Sequence, residues 1–341
     1  MQIHSLPNEL GFYLQGTLVG ETEASESADT QDEVPRETSA SVYVVVNEDE
    51  CGIIDTGVGV RVLQALMGAI SGRRLRPRWL ILTHDHYDHV GNAQGFRNQV
   101  SAPLIAHALD RPLIEHPLKV FDDSFMEAAY GGTLRQAFRE MNRTPEDYQA
   151  YQQKVLSERF YPVKVDISCD DGDIFELGDL EVEIIHTPGH TPGSISVYIP
   201  NEGVLFAGDV PLWFGPGRAY PLGDFRTWQD SMRRLLVLDT EFIGWGHSFP
   251  TSGRRKCQRF LRNTLRRAEE IEEVVLDELS QSPQTIEDLV DALYGDNLRV
   301  LEEHRNKAEE SLHSLLVALR MEGAVVNRTH DNRVYWVPNP S

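Results

Sequence analysis

Thr83-His84-Asp85-His86-Tyr87-Asp88-His89 places three imidazoles and two carboxylates within seven residues, directly behind the apolar run Trp79-Leu80-Ile81-Leu82. The apolar run reads as a buried strand, so the polar cluster stands at a strand end. Unpaired charge there is costly to desolvate, whereas His nitrogen and Asp oxygen are good ligands for zinc and similar divalent ions. A metal therefore accounts for the density of ligand-type side chains. Outward from this cluster, the remaining ligands and the surrounding fold have to be found.

Upstream, Ser41 to Val46 and Cys51 to Gly57 read as strands, the second ending in the turn Ile54-Asp55-Thr56-Gly57. Val62, Leu63, Leu66, Met67 and Ile70 recur at helical spacing before the chain returns to strand at Arg78 to Leu82. Downstream, a helix is expected from Gly91 to Phe96 and a strand over Pro103 to Ala106. From about 110 to 160, apolar residues such as Phe121, Phe125, Met126, Leu134 and Phe138 recur at roughly helical spacing. This reads as a helical insertion, either packed on the sheet or capping the active site.

Strand signals resume at Val163 to Ile167, Ile174 to Leu177 and Leu180 to Ile185. They lead to His186-Thr187-Pro188-Gly189-His190-Thr191-Pro192-Gly193-Ser194, then to Ile195–Ile199 and to Phe206-Ala207-Gly208-Asp209. Gly and Pro put His190 and Asp209 on turns at strand ends, where polar groups can converge. An amphipathic helix from Asp224 to Leu238 and a strand entering Gly246-His247 complete a pattern of two β-rich halves with helices between, an αββα sandwich.

Together the HxHxDH-type cluster His84 to His89, Asp55 in Ile-Asp-Thr-Gly, the Thr-Pro-Gly-His190 loop, Gly-Asp209 and Gly-His247 resemble the ordered motifs of the metallo-β-lactamase superfamily over about residues 10 to 255. The resemblance implies one metal held by His84, His86 and His190, a second by Asp88, His89 and His247, and Asp209 bridging both. Zinc is the expected metal, with iron or manganese as alternatives. Two such ions imply metal-assisted hydrolysis by a bridging hydroxide, with Asp88 doubling as proton shuttle. His186 is expected to stay outside the ligand set, and Asp55 to orient a ligand loop. In similar proteins the loop after Asp209 borders the site, so Trp213, Phe214, Arg218 and Tyr220 are candidates for substrate contact, with core packing as their alternative.

From about Leu261 the composition shifts to Glu, Arg and Leu, with helices expected over Thr264 to Leu279, after Ser282 and over Glu302 to Met321, followed by a hairpin. This tail is similar to the winged-helix tail of β-lactamase-like hydrolases, a glyoxalase II-like group that includes an endoribonuclease. The expected division is a catalytic domain over 1–260 and a winged-helix domain over 261–341.

Charge weighs against the nuclease branch. The net charge is −21, and residues 265–341 carry eight basic side chains against sixteen acidic ones, the wrong sign for a phosphate-reading surface. Anionic membrane is disfavoured for the same reason. Cys51, Cys169 and Cys257 are too few and too scattered for a disulfide framework. The N-terminus has no basic start followed by an apolar run, and a cytoplasmic protein is expected. The acidic stretch from 20 to 40 reads as a solvated, mobile loop. The leading expectation is a dinuclear zinc hydrolase of an ester, thioester or lactone, acting on a small molecule and compatible with a homo-oligomer. The alternative is a metal-dependent endoribonuclease or other phosphodiesterase.

Overall fold

A computed structural model describes residues 3–15, 39–158, 161–210, 215–295 and 302–340. The acidic 20–40 stretch thus lies almost wholly outside the described residues, as do Trp213 and Phe214.

Seven strands form the first sheet in chain order: β1 (Ile3–Ser5), β2 (Gly11–Leu14), β3 (Val42–Asn47), β4 (Glu50–Ile54), β5 (Arg76–Ile81), β6 (Leu104–His107) and β7 (Ile167–Cys169). Pairing is antiparallel from β1 to β4 and parallel from β4 to β7. The parallel crossovers carry α1 (Val60–Gly72), then α2 (Tyr87–Val90) and α3 (Ala93–Arg97). Between β6 and β7 lies the helical insertion: α4 (Arg111–Glu115), a 3-10 turn at Pro117–Phe121, α5 (Asp123–Tyr130), α6 (Leu134–Glu140) and α7 (Pro145–Glu158). Residues 163–166, expected as strand, lie outside the sheet, with a bend at Asp166, and β7 begins only at Ile167.

The second sheet comprises β8 (Ile174–Leu177), β9 (Leu180–His186), β10 (Ile195–Ile199), β11 (Val204–Phe206), β12 (Phe242–Gly244) and β13 (Thr251–Ser252). All its neighbours are antiparallel except β11 and β12, which α8 (Phe225–Leu236) connects in parallel.

Period-two alternation assigns each strand residue to a layer. Ile53 and Leu80 face α1 and α3, joining Leu66 and Phe96, while Ile54 and Ile81 face the other sheet. In the second sheet Ile184 and Phe206 point inward to meet them, and Ile185 and Leu205 point outward to Trp228 and Met232 of α8. The order is helix, sheet, sheet, helix. Each of these fully buried side chains contributes about 1.5–3 kcal/mol, which fixes strand register on both faces.

The C-terminal segment consists of α9 (Arg254–Gln281), α10 (Ile286–Tyr294), α11 (Glu302–Met321) and the hairpin β14 (Val325–His330) with β15 (Arg333–Pro338). Gln284, between α9 and α10, bridges to Trp336 of β15. The boundary expected at 260/261 falls inside α9, which starts against β12 and β13 and continues unbroken into the tail. One apolar cluster joins the insertion (Met126, Phe138), α8 (Trp228, Met232) and the tail (Leu265, Leu316, Trp336). The tail is therefore packed into the molecule by the same core that carries the insertion. Among the described residues no helix is long and apolar enough to cross a membrane.

Candidate metal centre

The cluster assembles because two parallel strand pairs end at the same edge of the sandwich. Asp55 and Thr83-His84 follow the C-terminal ends of β4 and β5, while Asp209 and His247 follow those of β11 and β12. His190 reaches the same edge from the β9–β10 loop, and His86, Asp88 and His89 stand at the start of α2.

The seven expected ligands fall into two adjoining sets: His84, His86, His190 and Asp209, then Asp88, His89 and His247. In each set the candidate atoms lie within 4.8 Å of one another. Asp209 is the hinge between them. Its Oδ2 is 3.7 Å from His190 Nε2, 4.0 Å from His84 Nε2 and 3.3 Å from His247 Nε2, while its Oδ1 is 3.4 Å from His89 Nε2. Asp88 Oδ2 sits 2.9 Å from His247 Nε2, and His86 Nδ1 is 3.0 Å from His190 Nε2.

The far side of several rings is held by the protein, which decides the nitrogen each presents. His89 Nδ1 donates to Asp55 Oδ2 at 2.7 Å, and His190 Nδ1 donates to the Pro216 carbonyl at 2.5 Å. Thr83 Oγ1 contacts His84 Nδ1 at 3.0 Å and donates to Asp55 Oδ2 at 2.8 Å. Asp55 also accepts the Thr83 amide at 2.8 Å. It does so from a left-handed backbone at φ 59°, a conformation Asp tolerates better than most residues.

Two glycines make room. A Cβ on Gly246 would stand 1.9 Å from Asp209 Oδ1, and one on Gly208, itself at φ 51°, would stand 2.9 Å from Thr83 Oγ1.

The residues fit a pair of divalent cations. His84 Nε2, His89 Nε2 and Asp209 Oδ1 are buried and make no hydrogen bond, a costly condition that a bound ion relieves. Burial, reinforced by like-charged neighbours, holds His84 and His86 well below the ordinary imidazole range, and burial takes His190 to about 4. These three rings are neutral and have a lone pair to offer a cation. Burial opposes charge on His89 and His247 too, yet Asp55 and Asp209 hold His89 well above its usual range, and Asp209 and Asp88 lift His247 to about 9. Against the same opposition from burial, His247 and His89 keep Asp209 well below the usual carboxylate range. Positive charge is thus demanded at this point, and a cation would supply it while displacing the protons.

His186 stands apart, stacked on His107 at 4.0 Å with its Nε2 donating to the Pro192 carbonyl at 2.9 Å. Asp85 turns away from the cluster and takes Arg218 Nη1 at 3.1 Å. Arg218 therefore borders the site as half of a buried ion pair. Tyr220 does not reach the cluster; its ring packs on Gly131 and Gly132 of the insertion and lines a different cleft with Asp224 and Thr227.

Three supports carried no sequence signal. Asp110, at the start of the insertion, is fully buried and accepts from Thr191 Oγ1 at 2.6 Å, the Gly193 amide at 2.7 Å and the Asp85 amide at 3.2 Å. Burial, then the nearby Asp85, pushes its carboxyl up to about 8. The Pro216 carbonyl is backbone, invisible to residue type. Ser311 of α11 accepts the Gly217 amide at 3.0 Å, a contact 94 residues away in the chain that a serine within a helix does not announce.

A family profile described as the metallo-beta-lactamase superfamily matches residues 35–247. Human acyl-coenzyme A thioesterase MBLAC2 is 29% identical over 181 residues, covering 50% of this chain and 58% of that protein. The probable metallo-hydrolase YqgX of Bacillus subtilis is 26% identical over 185 residues, 54% of this chain and 72% of its own. The crystal structure of a beta-lactamase domain protein from Burkholderia ambifaria matches with a TM-score of 0.69 at 16% identity, over 99% of this chain and 94% of that one. A metallo-beta-lactamase family protein from Thermus thermophilus matches with a TM-score of 0.67 at 20% identity, over 88% and 93%. These two likenesses concern the fold, including the C-terminal segment.

Proposed function

The chain belongs to the metallo-beta-lactamase superfamily and is a metallo-hydrolase, and from that premise we propose that it is a dinuclear zinc enzyme cleaving a thioester or closely related ester or lactone. The observation that carries the reading is the pair of adjoining donor sets sharing Asp209, opening beside His86 onto a pocket with apolar walls.

His84, His86 and His190 would hold one ion, Asp88, His89 and His247 the other, and Asp209 both. Two such ions supply Lewis acidity toward a substrate carbonyl and lower the pKa of a water into the neutral range. The chain's own residues do the rest. Asp55 and Thr83 fix the rings of His89 and His84, and the Pro216 carbonyl fixes His190. Asp88, 2.9 Å from His247, is the carboxylate placed to receive a proton and return it to the departing thiol or alcohol. The Arg218–Asp85 pair forms a polar rim without net charge.

The thioester preference draws support from the relative named as an acyl-coenzyme A thioesterase. In the tail, the order of three helices and a hairpin, with Gln284 bridging to Trp336, is that of a winged helix in our reading. Its third helix is poorly placed to read nucleic acid: Ser311 to Leu319 of α11 are all buried. Together with the acidic balance of the segment, this weighs against the endoribonuclease alternative.

The test is a panel. Purified protein of measured metal content is assayed on thioesters, lactones, phosphodiesters and single-stranded RNA. Turnover of thioesters with two equivalents of zinc is expected, and turnover confined to RNA or phosphodiesters would overturn the reading.

A further inference from the structure

A cavity of about 190 Å³ adjoins the metal ligands on the His86 side. It lies along the seam between α2 and the helical insertion. Val90 of α2 forms one wall; Leu113 of α4, Val120 of the 3-10 turn and Tyr151 of α7 form the other. Arg218 and Asp85 stand at its rim, paired with each other at 3.1 Å.

Each wall is set by packing that does not depend on an occupant. Leu113 and Val120 belong to the cluster shared by the insertion and the tail, and Val90 to the cluster between the first sheet and helices α1 and α3. Tyr151 is gripped edge-on by Phe121 at 5.9 Å and against Phe138 at 5.6 Å. A preformed apolar slot of this kind does not need to be ordered on binding, which lowers the entropic cost of filling it.

We propose that this slot receives the acyl chain of the substrate, so that the helical insertion selects acyl length while the sandwich edge performs the hydrolysis. This inference rests on the thioesterase reading above. A carbonyl placed beside His86 leaves its alkyl chain only the aliphatic and aromatic wall to lie against. The Arg218–Asp85 pair is self-neutralised, so the rim offers a charged tail no net attraction, and burying an ω-carboxylate beside Asp85 would be costly. The slot therefore takes an uncharged acyl group. Each methylene buried in it should raise kcat/KM about fourfold until the slot is full.

The test uses the full-length, zinc-loaded protein and S-acyl-N-acetylcysteamine thioesters from acetyl to dodecanoyl, whose neutral leaving group keeps the acyl chain the sole variable. Val120→Phe, which narrows the slot, should lower the octanoyl-to-acetyl ratio of kcat/KM about 100-fold. Leu113→Ala, which widens it, should move the optimum to a longer chain, so a folding defect in one variant leaves the other to decide. Turnover with a chain-length profile that neither variant alters would overturn the slot and leave the thioesterase reading standing. Absence of turnover on every thioester, with activity on another class of the panel, would overturn that reading and the slot with it.

Discussion

The backbone amide of Gly217 donates to Ser311 Oγ at 3.0 Å, tying the loop that orients His190 to the C-terminal helix α11. The neighbouring Pro216 carbonyl receives His190 Nδ1, and one turn later on α11 Ser314 Oγ donates to the Gly223 carbonyl at 3.0 Å. The tail thus clasps residues 217 to 223 at both ends. Ser311→Ala should weaken metal binding about tenfold by loosening the support of His190, and should cost about 1–2 kcal/mol of stability for the unsatisfied amide. Zinc titration beside denaturant unfolding checks this; lost stability with unchanged zinc affinity would reduce the clasp to a structural contact.

Asp55 gathers the Thr83 amide, the Thr83 hydroxyl and His89 onto one carboxylate. Asp55→Ala leaves all three donors without their acceptor and should weaken metal binding about 10–100-fold. Asp55→Asn keeps an acceptor oxygen and a residue suited to the left-handed backbone, so its affinity should fall between the two. Equal losses in both variants would mean that charge alone matters.

Gly246 faces Asp209 so closely that any side chain displaces the shared ligand. Gly246→Ala should abolish both metal binding and activity. Gly68→Ala, in the middle of α1 with open space around its Cβ, should instead stabilise the protein by about 0.5–1 kcal/mol. Metal analysis and thermal unfolding of the two variants provide the comparison.

Direct removal of ligands gives the plainest outcome. Asp88→Ala and His190→Ala should each lose activity together with metal, and exhaustive chelation of the natural protein should do the same while lowering its melting temperature. Full activity in a metal-depleted variant would refute the scheme.

Acid stability should depend on a buried contact outside the candidate metal centre. Glu140 of α6 lies 2.9 Å from His313 Nε2 and accepts Arg320 Nη1 at 2.8 Å, joining the insertion to α11. Burial opposes its charge, but His313 and Arg320 bring its carboxyl from 4.5 down to about 2. Burial lowers His313 from 6.5. Both groups bind fewer protons folded than unfolded, so their contribution is fully present above pH 6.5. It declines as acid reaches first the His313 window and then, below 4.5, that of Glu140. Glu140→Gln should cost about 3 kcal/mol at neutral pH and flatten the fall below pH 4.5, measured by urea unfolding of metal-free protein so that ligand protonation does not intervene.

The residues that converge on the candidate metal centre were legible in the chain because their signal is local. Three of the seven candidate ligands, His190, Asp209 and His247, each follow a glycine at a strand end, and the cluster from His84 to His89 declares itself by density. The helical insertion was legible by spacing. Other features were not. The expected boundary at 260/261 sits inside a helix because composition changes where α9 leaves the catalytic core, not where the backbone turns. Tyr220 shares a loop with Arg218, yet it packs on the insertion while Arg218 turns to Asp85, a divergence that neighbouring positions in a loop cannot announce.

By itself the sequence determined which side chains could bind metal and on which strand ends they would stand, since ligand chemistry and period-two burial are written residue by residue. Tertiary structure alone decided which nitrogen each ring presents, what the insertion walls off beside His86, and that the tail holds the loop under His190. Those outcomes depend on backbone carbonyls such as that of Pro216 and on partners such as Asp110 and Ser311, distant in the chain and ordinary in type, which only the closing of the core brings within hydrogen-bonding reach.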